Sequence, residues 1–315
     1  MGCFRGFTMS AASLLVFGIV QLLSSGCTGE KARAVNLEKR ETLKKESLSP
    51  EKEPIRIAVG SMITPRAGFT YYRELLDYIG EKLGRPVAFV GKEKYAEVNE
   101  LLRTGGLDVA FVCSGPYVDG HDKFGMELLA VPQAYGETVY YSYILVHKDS
   151  PVRHLEGLRG KTFAFTDPDS NSGKLSTTYL LAKMNETPDS FFKHHSFTYA
   201  HDRSIKAVAT GVVDGAAVDS LVWNYLDRTD PEYTSKTRII LKSEPFGIPP
   251  VVVRPGLDAR TITSLRKIFL NVHNDEKGRK ILKGMMIDKF VAADDAAYDS
   301  VRHMKTWIAE QTSKK

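Results

Sequence analysis

The sequence predicts an α/β protein of two lobes, each a mostly parallel sheet flanked by helices, the lobes joined by two crossing strands. Three observations carry this expectation. Short apolar strands alternate with amphipathic helices from Ile55 to Val112, the alternation restarts at Lys161, and two segments rich in β-branched and aromatic residues, Tyr140 to Val146 and Pro249 to Val253, run between the units.

In the first unit Ile55 to Val59 is a strand ending in Gly60-Ser61-Met62. Apolar residues at Phe69, Tyr72, Leu75, Leu76, Ile79 and Leu83 then mark one face of a helix that Gly84 and Pro86 close. Val87 to Val90 is a strand, Tyr95 to Arg103 a helix, and Asp108 to Val112 a buried strand. In the second unit Lys161 to Thr166 is a strand, Ser172 to Lys183 and Ile205 to Thr210 are helices, and Gly215 to Asp219 is a strand. Helices after Asp258, with Ile262, Leu265, Ile268 and Phe269 on one face, return to the first lobe.

The amino terminus reads as an export signal over residues 1–26: Arg5 supplies positive charge, Ala11 to Leu23 is almost wholly apolar, and small residues precede Cys27. Leu23-Ser-Ser-Gly-Cys27 resembles the bacterial lipobox, with Ser24 where the pattern has leucine, and so marks Cys27 for lipidation. Residues 27–53 lack aromatics, alternate lysine, arginine and glutamate, and read as a flexible tether. The lobes then divide as 54–145 for the first, 146–248 for the second, and 249–315 for the return. The expected location is the periplasmic side of the cell envelope, anchored through lipid.

A formal net charge of +5 without a basic tract or an interleaved aromatic stripe argues against nucleic-acid binding. Of the three cysteines, Cys3 lies in the signal and Cys27 is the lipid site, which leaves Cys113 without a disulfide partner. No metal-ligand spacing, Gly-x-Ser-x-Gly elbow or P-loop is present, so no cofactor, metal or catalytic role is expected.

Ligands of open α/β sheets sit beyond the carboxyl ends of the strands. Those ends carry Ser61 and Met62, Cys113 to Tyr117 with Ser114, Thr166 to Gly173, and Asp219-Ser220. The sharpest signal is Asp167-Pro-Asp-Ser170-Asn171-Ser172-Gly173, small polar side chains opening a helix. A helix start with free N–H groups suits a tetrahedral oxyanion, although the same residues serve as ordinary caps.

Asp167 to Gly173 resembles the Asp-Pro-x-Ser-x-Ser-Gly motif of the phosphate, phosphite and phosphonate binding proteins of ABC importers. Lys94-Tyr95-Ala96, Tyr140-Tyr141, His201 to Val208, Gly215 to Ser220 and Ser243 to Pro249 agree in order and spacing. The resemblance runs from Ile55 to about Trp307 and implies a type II-like periplasmic binding protein. It also implies a small phosphorus oxyanion held by Ser170, Asn171, Ser172, Tyr95, Tyr140 and His201, with Tyr141 as the alternative to Tyr140. A permease and an ATPase are the implied partners of a monomer; a sensor reporting to a membrane receptor is the other use of the same fold. Members that take aminoalkyl phosphonates use acidic residues where this chain has Leu221 and Pro249. That difference points to an unsubstituted oxyanion or a short apolar tail, with Asp219 near enough to replace the missing charge.

Overall fold

The computed structural model describes residues 53–60 and 65–313. The expected signal, Cys27 and nearly all of the tether, together with Ser61 and Met62, lie outside the described residues.

The first stretch runs β1 (Ile55–Val59), α1 (Pro65–Leu83), β2 (Val87–Phe89), α2 (Tyr95–Arg103), β3 (Val109–Phe111), α3 (Ser114–Phe124) and β4 (Glu127–Gln133). A short β5 (Val139–Tyr140) leads to β6 (Ser142–His147), β7 (Thr162–Phe165), α4 (Ser176–Lys183), α5 (Pro188–Phe191) and β8 (His194–Phe197). Next come α6 (His201–Ala209), β9 (Gly215–Asp219), α7 (Ser220–Thr229), β10 (Thr237–Lys242) and β11 (Phe246–Gly247). The chain ends with β12 (Val251–Val253), α8 (Ala259–Asn271), α9 (Glu276–Met285), β13 (Lys289–Val291) and α10 (Asp299–Ser313).

Six strands form the first sheet in the order β13-β4-β12-β3-β1-β2, and five form the second in the order β10-β6-β9-β7-β8. Each is parallel only in part. Strands β1, β2 and β3 run together, as do β7, β8 and β9, whereas β12, β4, β13, β6 and β10 join antiparallel. The reason is topological: β6 and β12 enter their sheets from the opposite lobe and meet the parallel strands head to tail.

Strand alternation divides each core between two faces. In the second lobe Phe163 and Phe165 pack with Ile144, Val146, Leu181 and Phe191 on one side, while Ala164, Leu145 and Val218 meet Ile205, Val208 and Val222 on the other. In the first lobe Ile57 and Phe111 pack against Leu75, Ile79, Leu265 and Phe269, and Ala110 and Val252 against Val98, Leu102 and Tyr117. Asp108 fastens that sheet from one end. It accepts from Arg56 Nη2 at 2.9 Å and Arg254 Nε at 3.0 Å; burial alone would raise its pKa, and these bonds hold it below the usual value.

The segment expected as one crossing strand from Tyr140 to Val146 is two elements. Tyr140 pairs with Phe246 in the small β5–β11 ribbon, and β6 belongs to the second sheet. The return crossing at Ile248–Pro250 is fastened where Ser114 Oγ donates to the Gly247 carbonyl at 2.6 Å and Tyr298 Oη to the Ile248 carbonyl at 2.8 Å. Helix α10, expected with the first lobe, also packs on α4, with Trp307 and Tyr179 rings 5.1 Å apart.

Candidate functional site

Helices begin directly after the parallel strands, so several helix amino termini face the region between the sheets. β3 leads through Cys113 into α3, β8 through Tyr199 and Ala200 into α6, and β9 through Asp219 into α7. Their unpaired N–H groups and dipoles make this region favourable for an anion.

The segment after β7 is wound one residue wider than an α-helix: Leu175 N–H donates to the Ser170 carbonyl at 2.9 Å, five residues back. Ser170 caps it, its hydroxyl accepting from Gly173 N–H at 2.9 Å. Gly173 is required here because a Cβ would lie 2.6 Å from the Thr166 side chain. Ser142 Oγ donates to the Ser172 carbonyl at 2.6 Å. The turn is therefore held by backbone and frame residues, which leaves the Ser172 hydroxyl, fully buried, without a partner.

Tyr95 Oη, Asn171 Oδ1 and His201 Nε2 are among the other buried polar atoms in that condition. Two sets of bonds and close contacts hold the neighbouring side chains. Asn171 Nδ2 donates to Tyr140 Oη at 3.0 Å, Tyr140 Oη lies 3.8 Å from Cys113 Sγ, and Cys113 Sγ lies 4.0 Å from Ser170 Oγ. On the other side Thr166 Oγ1 is 3.1 Å from His201 Nδ1, which accepts the Asp219 backbone N–H at 3.0 Å. A ring nitrogen that accepts an N–H carries no proton, so the imidazole proton sits on Nε2, the unpartnered atom. Burial drops the His201 pKa to about 3, which keeps the ring a neutral donor throughout the physiological range. Burial likewise carries the Tyr95 and Tyr140 phenols well above their ordinary value, so both remain protonated donors.

Both lobes build this group. Tyr95 opens α2 of the first lobe, and its backbone N–H donates to Asp167 Oδ2 of the second at 3.2 Å. Gly115 of α3 sits so close to the turn that a Cβ would lie 2.4 Å from the Asp169 carbonyl oxygen. Burial raises the Cys113 thiol pKa against the backbone N–H groups of Asn171 and Gly115 that face its sulfur.

Of the residues expected from sequence, Tyr95, Tyr140, Ser172 and His201 form the donor group; Asn171 donates to Tyr140 and leaves an acceptor, Oδ1, unpartnered. Ser114, Ser170 and Gly173 frame it: Ser114 Oγ donates to the Gly247 carbonyl and Gly173 N–H to Ser170 Oγ, while the Ser170 O–H lies beside Cys113 Sγ. Asp219 stands behind His201, one carboxylate oxygen accepting Leu221 N–H at 2.7 Å; burial raises its pKa to about 7. Tyr141 is turned away: its hydroxyl reaches Glu137 at 3.4 Å and the Lys242 ammonium covers its ring. Tyr141 is the single residue between β5 and β6, and its side chain leaves on the face opposite to that of Tyr140.

Beside the donor group lies a cavity of about 470 Å³, lined from both lobes. Its wall includes Gly60, whose Cα face meets the Tyr95 ring, as well as Asp219 and Ala200, the neighbour of His201. Most of the rest is aromatic or aliphatic.

A family model described as the periplasmic phosphonate substrate-binding protein of ABC transporters matches residues 57–298. The chain belongs to that family. A phosphonates-binding periplasmic protein of Escherichia coli is 25% identical over 300 residues, covering 94% of this chain and 82% of that protein. A phosphate-import protein of Mycolicibacterium smegmatis is 27% identical over 312 residues, covering 90% and 92%. The crystal structure of a binding-protein component of an ABC phosphonate transporter from Pseudomonas aeruginosa superposes with a TM-score of 0.78 at 25% identity, covering 83% of this chain and 88% of that one. The two-lobed fold, the periplasmic setting and the service to an ABC transporter follow from membership of this family.

Sequence reasoning missed the nearness of Cys113 to the donors, the widened turn, and the cavity. The strand-end position of Cys113 left a cleft-facing role open, but a cysteine after an apolar strand reads first as a small hydrophobe, so its contacts with Tyr140 and Ser170 were not specified. The cavity was partly visible in Leu221 and Pro249, both of which line it.

Proposed function

We propose that this chain captures a phosphorus oxyanion, a phosphonate, phosphite or phosphate, between its lobes and delivers it to the permease and ATPase of an importer. The observation that carries this is the set of buried, neutral donors without partners: Tyr95 Oη, Ser172 Oγ and His201 Nε2, next to Tyr140. Buried polar groups are nearly always satisfied, and a tetrahedral oxyanion supplies several acceptor oxygens at once. Charge-assisted bonds to such an anion are about twice as strong as neutral ones. In this reading the backbone bond between Tyr95 and Asp167 and the fit of Gly115 against the turn form as the lobes close.

The same geometry supports binding without catalysis. Neither Ser172 Oγ nor Ser170 Oγ is hydrogen-bonded to a base, the latter accepting Gly173 N–H and lying 4.0 Å from Cys113 Sγ, and a histidine with a pKa of about 3 is a poor proton acceptor. The mature protein is a monomer tethered by a lipid on Cys27; mass spectrometry of its amino terminus, finding a free Thr28 or an intact signal, would overturn that part.

Thermal unfolding of the full chain in detergent tests the ligand class, with phosphate, phosphite, methylphosphonate, 2-aminoethylphosphonate and sulfate as probes. A ligand at a hundred times its Kd adds about 2.7 kcal/mol of stability. A shift with a phosphorus compound and not with sulfate is expected. Equal response to sulfate, or none to any probe, would sink the proposal.

A further inference from the structure

We infer that the group carried by the phosphorus is bulky, uncharged and apolar, an aryl or branched alkyl substituent seated in the cavity beside the donor group. This rests on the oxyanion reading above and names the substrate class of that site.

Size is the first argument. A cavity of about 470 Å³ falls within the range of roughly 300–1,000 Å³ that holds drug-sized ligands. It has room for on the order of fifteen waters at their liquid volume; Tyr95, Ser172 and His201 are not among its lining residues, so in the oxyanion reading the phosphorus group sits beside it and leaves the space to the substituent. The short tail expected from sequence would leave most of the space unfilled.

The wall is the second. Tyr72, Phe111, Tyr225, Phe290, Met285 and Val222 come from α1, β3, α7, β13, α9 and α7, and present rings and alkyl groups to one space. At its edge Phe89 and Tyr135 keep 41% and 36% of their surface exposed, among the few large hydrophobic side chains so exposed in the described residues. Apolar surface left facing a cavity binds apolar matter.

Charge is the third. The charged lining residues other than Asp219 are Lys92, Glu93 and Arg203; Arg203 and Glu93 approach each other at 3.7 Å and both are exposed. Asp219 is the buried one, and it caps α7. Leu221 and Pro249, both uncharged, line the cavity beside Asp219.

Backbone conformation points the same way. Tyr135, Tyr199 and Met286 have φ of 54°, 59° and 55°, and all three line the cavity. The left-handed region disfavours residues with a Cβ by about 1 kcal/mol or more, and glycine would relieve it. At these positions the chain has large side chains that wall the cavity.

Calorimetry on the full chain in detergent, with phosphate, methylphosphonate, 2-aminoethylphosphonate and phenylphosphonate, decides the matter. Phenylphosphonate is expected to bind on the order of tenfold or more tighter than methylphosphonate, from burial of the ring. In Tyr225→Ala the ratio of phenylphosphonate to phosphate affinity should fall. If phosphate or methylphosphonate binds and phenylphosphonate binds no better, or if 2-aminoethylphosphonate is the tightest, the inference is overturned and the oxyanion reading stands. Binding of none of the four overturns both.

Discussion

The Asp219 backbone N–H donates to His201 Nδ1 at 3.0 Å, and this contact fixes the imidazole tautomer. His201 Nε2 therefore carries a proton and has no protein partner. One backbone amide at the end of β9 thus prepares a donor at the start of α6. Replacing His201 by alanine should lower oxyanion affinity about 10- to 100-fold, the range for a hydrogen bond to a charged group. Titration calorimetry would show it; unchanged affinity would remove His201 from the site.

Ser172→Ala should separate stability from binding. The buried hydroxyl has no partner, and such a group is destabilising by about 1–3 kcal/mol, so the ligand-free variant should melt higher than the parent. Its affinity for the oxyanion should nevertheless fall about tenfold or more. A lower melting temperature without ligand would mean that the hydroxyl has a structural bond instead.

His201 and Asp219 drive stability in opposite directions with pH. The His201 pKa falls from 6.5 to about 3 through burial, so the unfolded chain binds the extra proton and stability is lost as pH drops from about 6.5 toward 3. The Asp219 pKa rises to about 7 through burial, so its contribution is fully present below about 4 and is lost as pH rises through 7. Asp219→Asn removes the second effect. Denaturant unfolding of that variant between pH 4 and 7 should show a steeper loss on acidification than the parent. A parallel profile would contradict the assignment.

Asp219→Asn also removes an ionisable carboxyl beside the donor group. Above pH 7 its negative charge opposes an oxyanion, so the variant should gain affinity relative to the parent at pH 8 and differ less at pH 6. Affinities of the two proteins for the same ligand, compared at each pH, cancel the titration of the ligand itself. A constant ratio would place Asp219 outside electrostatic reach.

Gly115→Ala tests closure. The nearest atoms to an added Cβ are the Asp169 carbonyl at 2.4 Å and Asn171 nitrogen at 3.2 Å, both on the second lobe's turn. The methyl group should leave each lobe folded while holding them apart, weakening affinity by tenfold or more with little change in the circular dichroism spectrum. Retained affinity would show that the two surfaces do not meet in the bound state.

Much of the fold was legible in the chain. The bounds of β1, α2 and β9 follow from apolar periodicity alone, and the helix-start chemistry of residues 167–173 gave the turn that carries Ser172. Less was legible where the chain crosses. Tyr140 and Tyr141 are equivalent in composition, and pairing of Tyr140 with Phe246, more than a hundred residues later, decides which one faces inward.

The sequence by itself determined the order of strands and helices, the helix starts that suit an anion, and the absence of acidic residues at positions 221 and 249. These are local properties, set by side-chain periodicity and capping within a few residues. Only the tertiary structure decided the tautomer of His201, the inward face of Tyr140 and the apolar cavity. Each depends on groups brought together from distant parts of the chain: Thr166 and Asp219 around His201, and Tyr72, Phe111, Tyr225 and Phe290 around one space. Such contacts follow from the register in which two sheets pack and two crossings return the chain, and no local pattern encodes that register.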